Sequence, residues 1–284
     1  AKNLIGILRK FRHGPLKKIQ PIWSTLGWLF RWSYTKIGSP GTVLQTVGGY
    51  GPFKFDGHFA FSNFEEWGGR HNAGFRESIE ASRGKQCVLD IGAHIGLVSM
   101  PMSSVVSDDG DVYSFEPAEV NRKYLLKHVL INNIKNIHVQ DFLVGDVDGI
   151  NVDFFEQQND TGQNSVVVKK NHDAFTKTHK IQRTIDDFCE ENHLMPDVIK
   201  IDVEGYELAV LRGAKKIISL SKPIIFLSVH PREIELLGED INNITKMVDE
   251  LGYGMSEGDG SVVTSLKLSE YILRSNVDKN CDVK

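Results

Sequence analysis

The chain has 284 residues, of which 40% are hydrophobic and 25% charged, the composition of a globular protein with a sizeable core. Its net charge of −4 is unevenly distributed: residues 1–37 hold eight Lys or Arg and no acid, whereas residues 38–284 hold 25 basic and 37 acidic residues. This excess of acidic residues argues against a nucleic-acid substrate, because the phosphate backbone is itself negatively charged. The three cysteines show neither metal-ligand spacing nor an evident disulfide framework, which favours a reducing, cytoplasmic compartment.

The first segment combines positive charge with Trp23, Trp28 and Trp32. One interpretation is a helix docked on the main domain through its aromatic side chains. The other is a helix lying on an anionic membrane surface, peripherally at the inner membrane face. The longest strongly apolar stretch near the start of the chain, residues 19–30, is too short to span a bilayer.

A glycine-rich stretch over residues 37–53 separates this segment from the rest of the chain. We therefore expect two parts: residues 1–48 as a basic, Trp-rich helical segment, and residues 49–284 as the main domain.

From residue 87 onward, short apolar runs alternate with helical patterns, which predicts a parallel sheet with right-handed crossovers. The predicted strands are 87–91, 111–115, 136–140, 197–202, 222–230 and 271–275, and the predicted helices lie near 95–106, 118–132, 205–220 and 239–251. Residues 150–183 break this rhythm, and their runs 151–157, 164–170 and 179–183 predict short strands beside the sheet. Thr184 is expected to cap the next helix, with Asp187 as its partner.

The stretch CVLDIGAHIGLVSM (87–100) reads as a strand, a glycine turn through Gly92 and Gly96, and the start of a helix. Such a unit is typical of a nucleotide cradle. A dinucleotide fingerprint needs a second glycine where this chain has His94, and Asp90 would lie near a negative pyrophosphate. The sulfonium and ammonium groups of S-adenosylmethionine suit that carboxylate better.

Glu116 ends the next strand, in VYSFEP, where its carboxylate can accept both ribose hydroxyls of either cofactor. The preference for S-adenosylmethionine therefore depends on Asp90 and His94. An NAD-dependent oxidoreductase and a non-catalytic nucleoside-binding protein remain as alternatives.

Four stretches resemble, in order and spacing, the FkbM-type S-adenosylmethionine-dependent methyltransferases: VLDIGAHIGL, VYSFEPAEVNRKYLLKHVLINNIKNIHV, TIDDFCEEN and DVIKIDVEGYELAVLRGAKKII. The resemblance covers roughly residues 50–275. It implies an α/β, Rossmann-like class I methyltransferase fold, with a seven-stranded, mostly parallel sheet, helices on both faces and one reversed strand. It also implies O-methylation of sugars or of other hydroxylated metabolites.

Matched position by position, the resemblance implies that Asp90, Gly92 and Gly96 form the turn that contacts the methionine part of S-adenosylmethionine. It also implies that the Glu116 carboxylate binds the ribose. It places Asp141 and Phe142 at the adenine, with ordinary core packing as the alternative for Phe142. Two positions depart from the family pattern, which usually has Asn at His94 and often has Glu at Ser228.

The run IKIDVEGYE predicts the chemistry, because Asp202 and Glu204 follow a strand end and can act as base and substrate-orienting group. Glu204 can instead complement a helix N-terminus. Lys200, two residues before Asp202, is expected to pair with it. His230, at the end of the following strand, is the imidazole candidate for a base.

These residues predict an S-adenosylmethionine-dependent O-methyltransferase acting on a sugar, glycan or other polyhydroxylated small molecule. A Mg²⁺ ion held by the two acids is a minority alternative, and no metal site is predicted. Residues 65–71 can fold over the ligand as a lid, bringing Arg70 or His71 to acceptor hydroxyls.

Overall fold

The computed structural model describes residues 41–68, 74–157, 164–167, 175–258 and 260–276, and it divides the chain into a unit ending at Glu66 and a second unit beginning at Trp67. In the first unit, β1 (Thr42–Val47) and β2 (Tyr50–Asp56) pair antiparallel. The predicted boundary between residues 48 and 49 falls in the turn of this hairpin. The predicted helical segment before residue 41 lies outside the described residues.

The second unit carries the large sheet and the helices between its strands. Its elements in chain order are α1 (Phe75–Ala81), β3 (Cys87–Ile91), α2 (Ser99–Ser103), β4 (Asp111–Phe115), α3 (Glu119–Ile131), β5 (Ile137–Gln140), β6 (Leu143–Val144), β7 (Ile150–Gln157), β8 (Phe175–Arg183), α4 (Ile185–Glu191), β9 (Val198–Ile201), α5 (Glu207–Arg212), α6 (Lys215–Ser221), β10 (Ile224–Val229), α7 (Pro231–Leu236), α8 (Asn242–Glu250), β11 (Tyr253–Glu257) and β12 (Ser269–Ser275).

Seven strands form the sheet in the order β11-β12-β10-β9-β3-β4-β5. All neighbouring pairs are parallel except those of β12, which runs antiparallel to both β10 and β11. The predicted fold class, a mostly parallel seven-stranded sheet with one reversed strand, is confirmed. Every residue of β3 and of β9 is buried, as expected for central strands covered on both faces.

The chain turns back on itself at the centre of this sheet. From β3 it proceeds outward through β4 to β5, and it then returns to place β9 on the other side of β3. Ligands of open α/β sheets bind beyond the carboxyl ends of the strands at such a switch point. The fold thus directs attention to the loops after β3, β4 and β9.

The strands between β5 and β9 form a separate three-stranded sheet in the order β6-β8-β7. Ser165 forms a bridge with Phe155 of β7, and the rest of the predicted strand 164–170 lies partly outside the described residues. Thr184 caps α4 by accepting from the Asp187 amide over 3.0 Å, which confirms that prediction.

The predicted helix over residues 205–220 is two helices, α5 and α6. They separate at Gly213, where an added Cβ would lie 1.9 Å from the carbonyl oxygen of Gly145. Close backbone packing against the loop after β6 thus accounts for the break. Among the described residues, no helix is long and apolar enough to cross a bilayer.

Candidate active site

A cavity opens at the switch point, and residues at the carboxyl ends of three neighbouring strands form most of its wall. These residues are Ile91, Gly92 and His94 at the end of β3, Phe115, Glu116 and Pro117 at the end of β4, and Asp202, Val203 and Glu204 after β9. The remaining wall consists of Asn121, Phe142, Leu143, Val144, Phe154 and Asn164. We call the part formed by Gly92, His94 and Glu116 the turn side, and the part formed by Asp202 and Glu204 the carboxylate side.

The glycine turn on the turn side has little room for a side chain. Gly92 has φ of +91°, and an added Cβ would lie 1.9 Å from the carbonyl oxygen of Asp202. The amides of Gly92 and Ala93 both donate to the carbonyl oxygen of Phe115 over 3.0 Å. This close approach brings the ends of β3, β4 and β9 together around one cavity.

His94 follows in a left-handed conformation with φ of +52° and lines the cavity. Gly96, with φ of +93°, does not line it: an added Cβ there would lie 2.7 Å from Leu125 Cδ1. The second glycine of the turn therefore permits helix packing.

Glu116 lines the cavity, although the residue is only 5% exposed. Its two oxygens accept from the amides of His94 and Ala118, each over 2.8 Å. Burial raises the pKa of Glu116 to about 8, against the opposing effect of these two amides and of Arg122. The carboxylate is thus oriented by main-chain donors and is poorly hydrated.

Asp90 lies beneath the glycine turn, and its side chain is not part of the cavity wall. It is 1% exposed, and Ser99 Oγ of α2 donates to its Oδ2 over 2.5 Å. Burial raises the pKa of Asp90, although Lys200 acts in the opposite direction. Consecutive strand residues face opposite ways, and at the end of β3 it is Ile91 that lines the cavity, so the role of Asp90 at the cofactor stays a prediction.

Phe142 and Asp141, the residues predicted at the adenine, are separated by the fold. Phe142 lines the cavity and contacts Phe115 edge-to-face, with ring centroids 5.4 Å apart. Asp141 is exposed and lies outside the cavity wall. Of the two, only Phe142 contributes to the apolar surface that an adenine ring would contact.

On the carboxylate side, Asp202 and Glu204 both line the cavity. Lys200 Nζ lies 3.2 Å from Asp202 Oδ2, so the expected pairing is present. Burial acts to raise the pKa of Asp202, but Lys200 and His230 together lower it. Glu204 has a left-handed backbone with φ of +52°, and Ser165 Oγ donates to its carbonyl oxygen over 2.7 Å.

His230 brings these two acids into one group, since its Nε2 lies 3.8 Å from an oxygen of each. Its Nδ1 lies 2.7 Å from Oε1 of Glu207, a carboxylate with no exposed surface. Burial acts to lower the pKa of His230, but the hydrogen bond with Glu207 and the neighbouring carboxylates raise it to about 9. A protonated imidazole cannot accept a proton, so the carboxylates are the stronger candidates for the base.

Two residues of this arrangement were not predicted from the sequence, namely Glu207 and Ser165. Glu207 lies in the stretch DVIKIDVEGYELAVLRGAKKII that carries the family resemblance, and that stretch is the available signal. Ser165 lies in a run without any catalytic pattern, and only its contact with Glu204 reveals it. Arg70 and His71 of the predicted lid lie outside the described residues.

No group of three or more His, Cys, Asp or Glu side chains placed to hold a metal ion occurs in the described part of the chain. The acids at the cavity are instead paired with Lys200 and His230.

The family comparison matches the part of the chain that forms the cavity wall. The family model of the methyltransferase FkbM domain matches residues 90–255, which is more than half of the chain. No curated protein matches the sequence.

Several solved structures are similar to this one. A methyltransferase FkbM from Methylobacillus flagellatus has 19% identity and a TM-score of 0.45, over 76% of this chain and 54% of the other. This chain thus spans about half the length of that protein. A precorrin-6y C5,15-methyltransferase from Geobacter metallireducens has 11% identity and a TM-score of 0.40, over 70% of this chain and 85% of the other. A Streptococcus mutans protein in complex with SAH has 10% identity and a TM-score of 0.41, over 70% and 92%.

Proposed function

We propose, since this chain belongs to the FkbM methyltransferase family, that it transfers a methyl group from S-adenosylmethionine to a hydroxyl oxygen. The acceptor we propose is a sugar, a glycan or another polyhydroxylated small molecule. The observation that carries the proposal is the pair of carboxylates, Asp202 and Glu204, at one cavity and within 3.8 Å of the same imidazole.

The residues around the cavity fit S-adenosylmethionine. Glu116 offers two oxygens to ribose hydroxyls, and Phe115, Phe142 and Val144 provide an apolar surface for adenine. The carboxylate side offers negative charge to a sulfonium and an ammonium group. When bound, S-adenosylmethionine supplies an electrophilic methyl group.

The chain's own residues then have to activate and orient the acceptor. A hydroxyl becomes a good nucleophile as its proton leaves, and a carboxylate within hydrogen-bond reach can accept that proton. Glu204 is our candidate for this base, and Asp202 orients the acceptor by accepting from a neighbouring hydroxyl. His230, protonated and hydrogen-bonded to Glu207, keeps both carboxylates in place at the cavity.

The alternative of an NAD-dependent oxidoreductase is less well supported. The position that needs a second glycine is His94, whose side chain lines the cavity where a pyrophosphate would approach the backbone. A non-catalytic nucleoside-binding protein would not need the two carboxylates of the carboxylate side, because it has no acceptor hydroxyl to deprotonate. Calorimetric titration with S-adenosylhomocysteine and with NAD separates the oxidoreductase from the methyltransferase.

The proposed activity is tested by Glu204→Gln, with methyl-labelled S-adenosylmethionine and a panel of saccharides and glycosides as acceptors. We expect the rate at saturating S-adenosylmethionine to fall by about 10²–10⁴-fold, because a general base is lost, whereas the Kd for S-adenosylhomocysteine, which has no sulfonium, should change far less. Glu191→Gln, at an exposed carboxylate on α4, is the matched control. An unchanged rate in Glu204→Gln would remove the base from this residue, and inhibition by EDTA would support the Mg²⁺ alternative.

For the first 37 residues we propose peripheral contact with an anionic membrane surface, supported by their eight basic side chains. Replacing those eight residues by Gln should abolish salt-sensitive binding of the full chain to vesicles that contain phosphatidylserine. Unchanged vesicle binding would contradict the proposal.

A further inference from the structure

A carboxylate on the reversed strand lies beneath the carboxylate side of the cavity. Glu270 of β12 is opposite Ser228 of β10 in the antiparallel register, so the two side chains emerge on the same face of the sheet. Ser228 Oγ donates to Glu270 Oε2 over 3.1 Å. Glu270 is 2% exposed, so its charge is removed from solvent.

Lys200 connects Glu270 to the cavity. Its Nζ lies 3.3 Å from Glu270 Oε2 and 3.2 Å from Asp202 Oδ2, and its side chain is 5% exposed. One buried ammonium group therefore faces two carboxylates. The count leaves one negative charge in excess, and Asp90, the register partner of Lys200 on β3, adds a third carboxyl.

The neighbouring groups do not cancel this excess. Among the described residues, His230 is the second cation in ion-pair contact with Asp202, and it already faces Glu204 and Glu207 as well. Glu270 Oε1 has no hydrogen-bond partner among the described residues. An added Cβ on Gly74 would lie 2.0 Å from that oxygen, so the carboxylate is also closely covered.

We propose that Glu270 is a specificity-determining residue that keeps this end of the cavity negative and so distinguishes S-adenosylmethionine from S-adenosylhomocysteine. The two ligands share the adenosine, ammonium and carboxylate groups and differ in the methyl group and its sulfonium charge. Methyl transfer removes that charge, because the electron pair of the broken C–S bond stays on sulfur. The excess negative charge thus favours the substrate form and helps the product to leave. This inference rests on the proposed function.

The test is calorimetric titration of the parent and Glu270→Gln with both ligands. We expect the preference for S-adenosylmethionine over S-adenosylhomocysteine to fall by about 15-fold, as estimated for one charge acting over roughly 10 Å at an effective dielectric constant near 20. Most of the change should come from weaker S-adenosylmethionine binding. Glu250→Gln, which removes an exposed carboxylate from α8, should leave the preference unchanged.

A pair of double variants that moves the position 270 side chain to position 228 separates the effect of the Glu270 charge from the effect of its packing. Ser228→Glu/Glu270→Ser moves the carboxylate from β12 to the opposite position on β10. Ser228→Gln/Glu270→Ser places a neutral side chain of the same size at that position on β10. We expect the first double variant to keep the preference and the second to lose it, which gives an answer even if Glu270→Gln does not fold.

If Glu270→Gln and Ser228→Gln/Glu270→Ser weaken the binding of both ligands equally, the inference is overturned and Glu270 has only a structural role. Failure of the folded parent to bind either ligand would instead overturn the proposed function, so the two failures are distinguishable.

Discussion

The turn side and the carboxylate side of the cavity are held in place by different means. On the turn side, main-chain amides of residues 92–94 donate to Phe115 and Glu116 on the adjacent strand. On the carboxylate side, the positions depend on side chains that are distant in sequence, such as Ser165 bonded to Glu204 and Glu207 bonded to His230. The first arrangement should be sensitive to backbone changes, and the second to single charges and hydroxyls.

The largest effect is expected on the turn side, from Gly92→Ala. Its methyl group would meet the Asp202 carbonyl at 1.9 Å, and a non-glycine residue at φ of +91° is also strained. We expect a loss of more than about 3 kcal/mol in the free energy of unfolding, measured by urea denaturation. Gly84→Ala is the control: its φ is +69°, and nothing lies within 4 Å of the added Cβ. Similar losses in the two variants would show that conformation alone, and not the contact with the Asp202 carbonyl, makes Gly92 necessary.

A smaller effect, with a characteristic pH dependence, is expected on the carboxylate side from Glu207→Gln. The pKa of His230 is raised from 6.5 to about 9 in the folded protein, with burial opposing the effect of Glu207 and the nearby carboxylates. The stabilisation from this pair is therefore fully present below pH 6.5 and is lost as the pH rises through 9. We expect the variant to be about 2–3 kcal/mol less stable than the parent at pH 6.5, and the difference to diminish by pH 9.5.

Urea denaturation at both pH values measures this change, and the ¹⁵N shifts of the His230 ring report its pKa directly. Asp153→Asn removes the exposed carboxylate beside His179 and should show no such pH dependence. A constant difference between parent and Glu207→Gln across this range would mean that Glu207 contributes packing rather than charge.

The smallest effect is expected from Ser165→Ala, which removes the hydroxyl that donates to the Glu204 carbonyl. A neutral hydrogen bond contributes about 1 kcal/mol, which corresponds to roughly fivefold in kcat if the bond positions the base. The Kd for S-adenosylhomocysteine should not change, and Ser165→Thr should restore kcat.

Ser221→Ala, which removes a comparable hydroxyl-to-carbonyl bond at the end of α6, serves as the control. Equal kcat values in Ser165→Ala and Ser221→Ala would show that Glu204 does not need this contact.

Local patterns were sufficient to predict much of the fold. The strands at 87–91 and 111–115 were predicted to the residue, because their apolar runs end at a glycine turn and at Glu116. The cap at Thr184 depends on residues three positions apart and could be predicted in the same way. The boundary at residue 48 stays a prediction, since the glycine-rich turn of a hairpin, where it falls, has the same composition as a linker.

The sequence predicts only part of the cavity wall, because it does not show which way each side chain faces in the folded sheet. Asp90 was expected at the ligand, yet strand alternation places it under the turn beside Ser99. Asp141 was expected beside Phe142 at the cavity, yet it is exposed. A sequence indicates which residues are adjacent in the chain but not which face of the sheet becomes the cavity wall.

The sequence by itself determined the strand–turn–helix unit, the acid after β4 and the acids after β9, because turns, caps and strand ends are set by near neighbours. Only the tertiary structure decided that Glu270 lies opposite Ser228 and shares Lys200 with Asp202. The register of β10 with β12 brings residues 42 positions apart into contact, and that register follows from packing of the whole sheet. The charge balance beneath the cavity is therefore a property of the folded sheet.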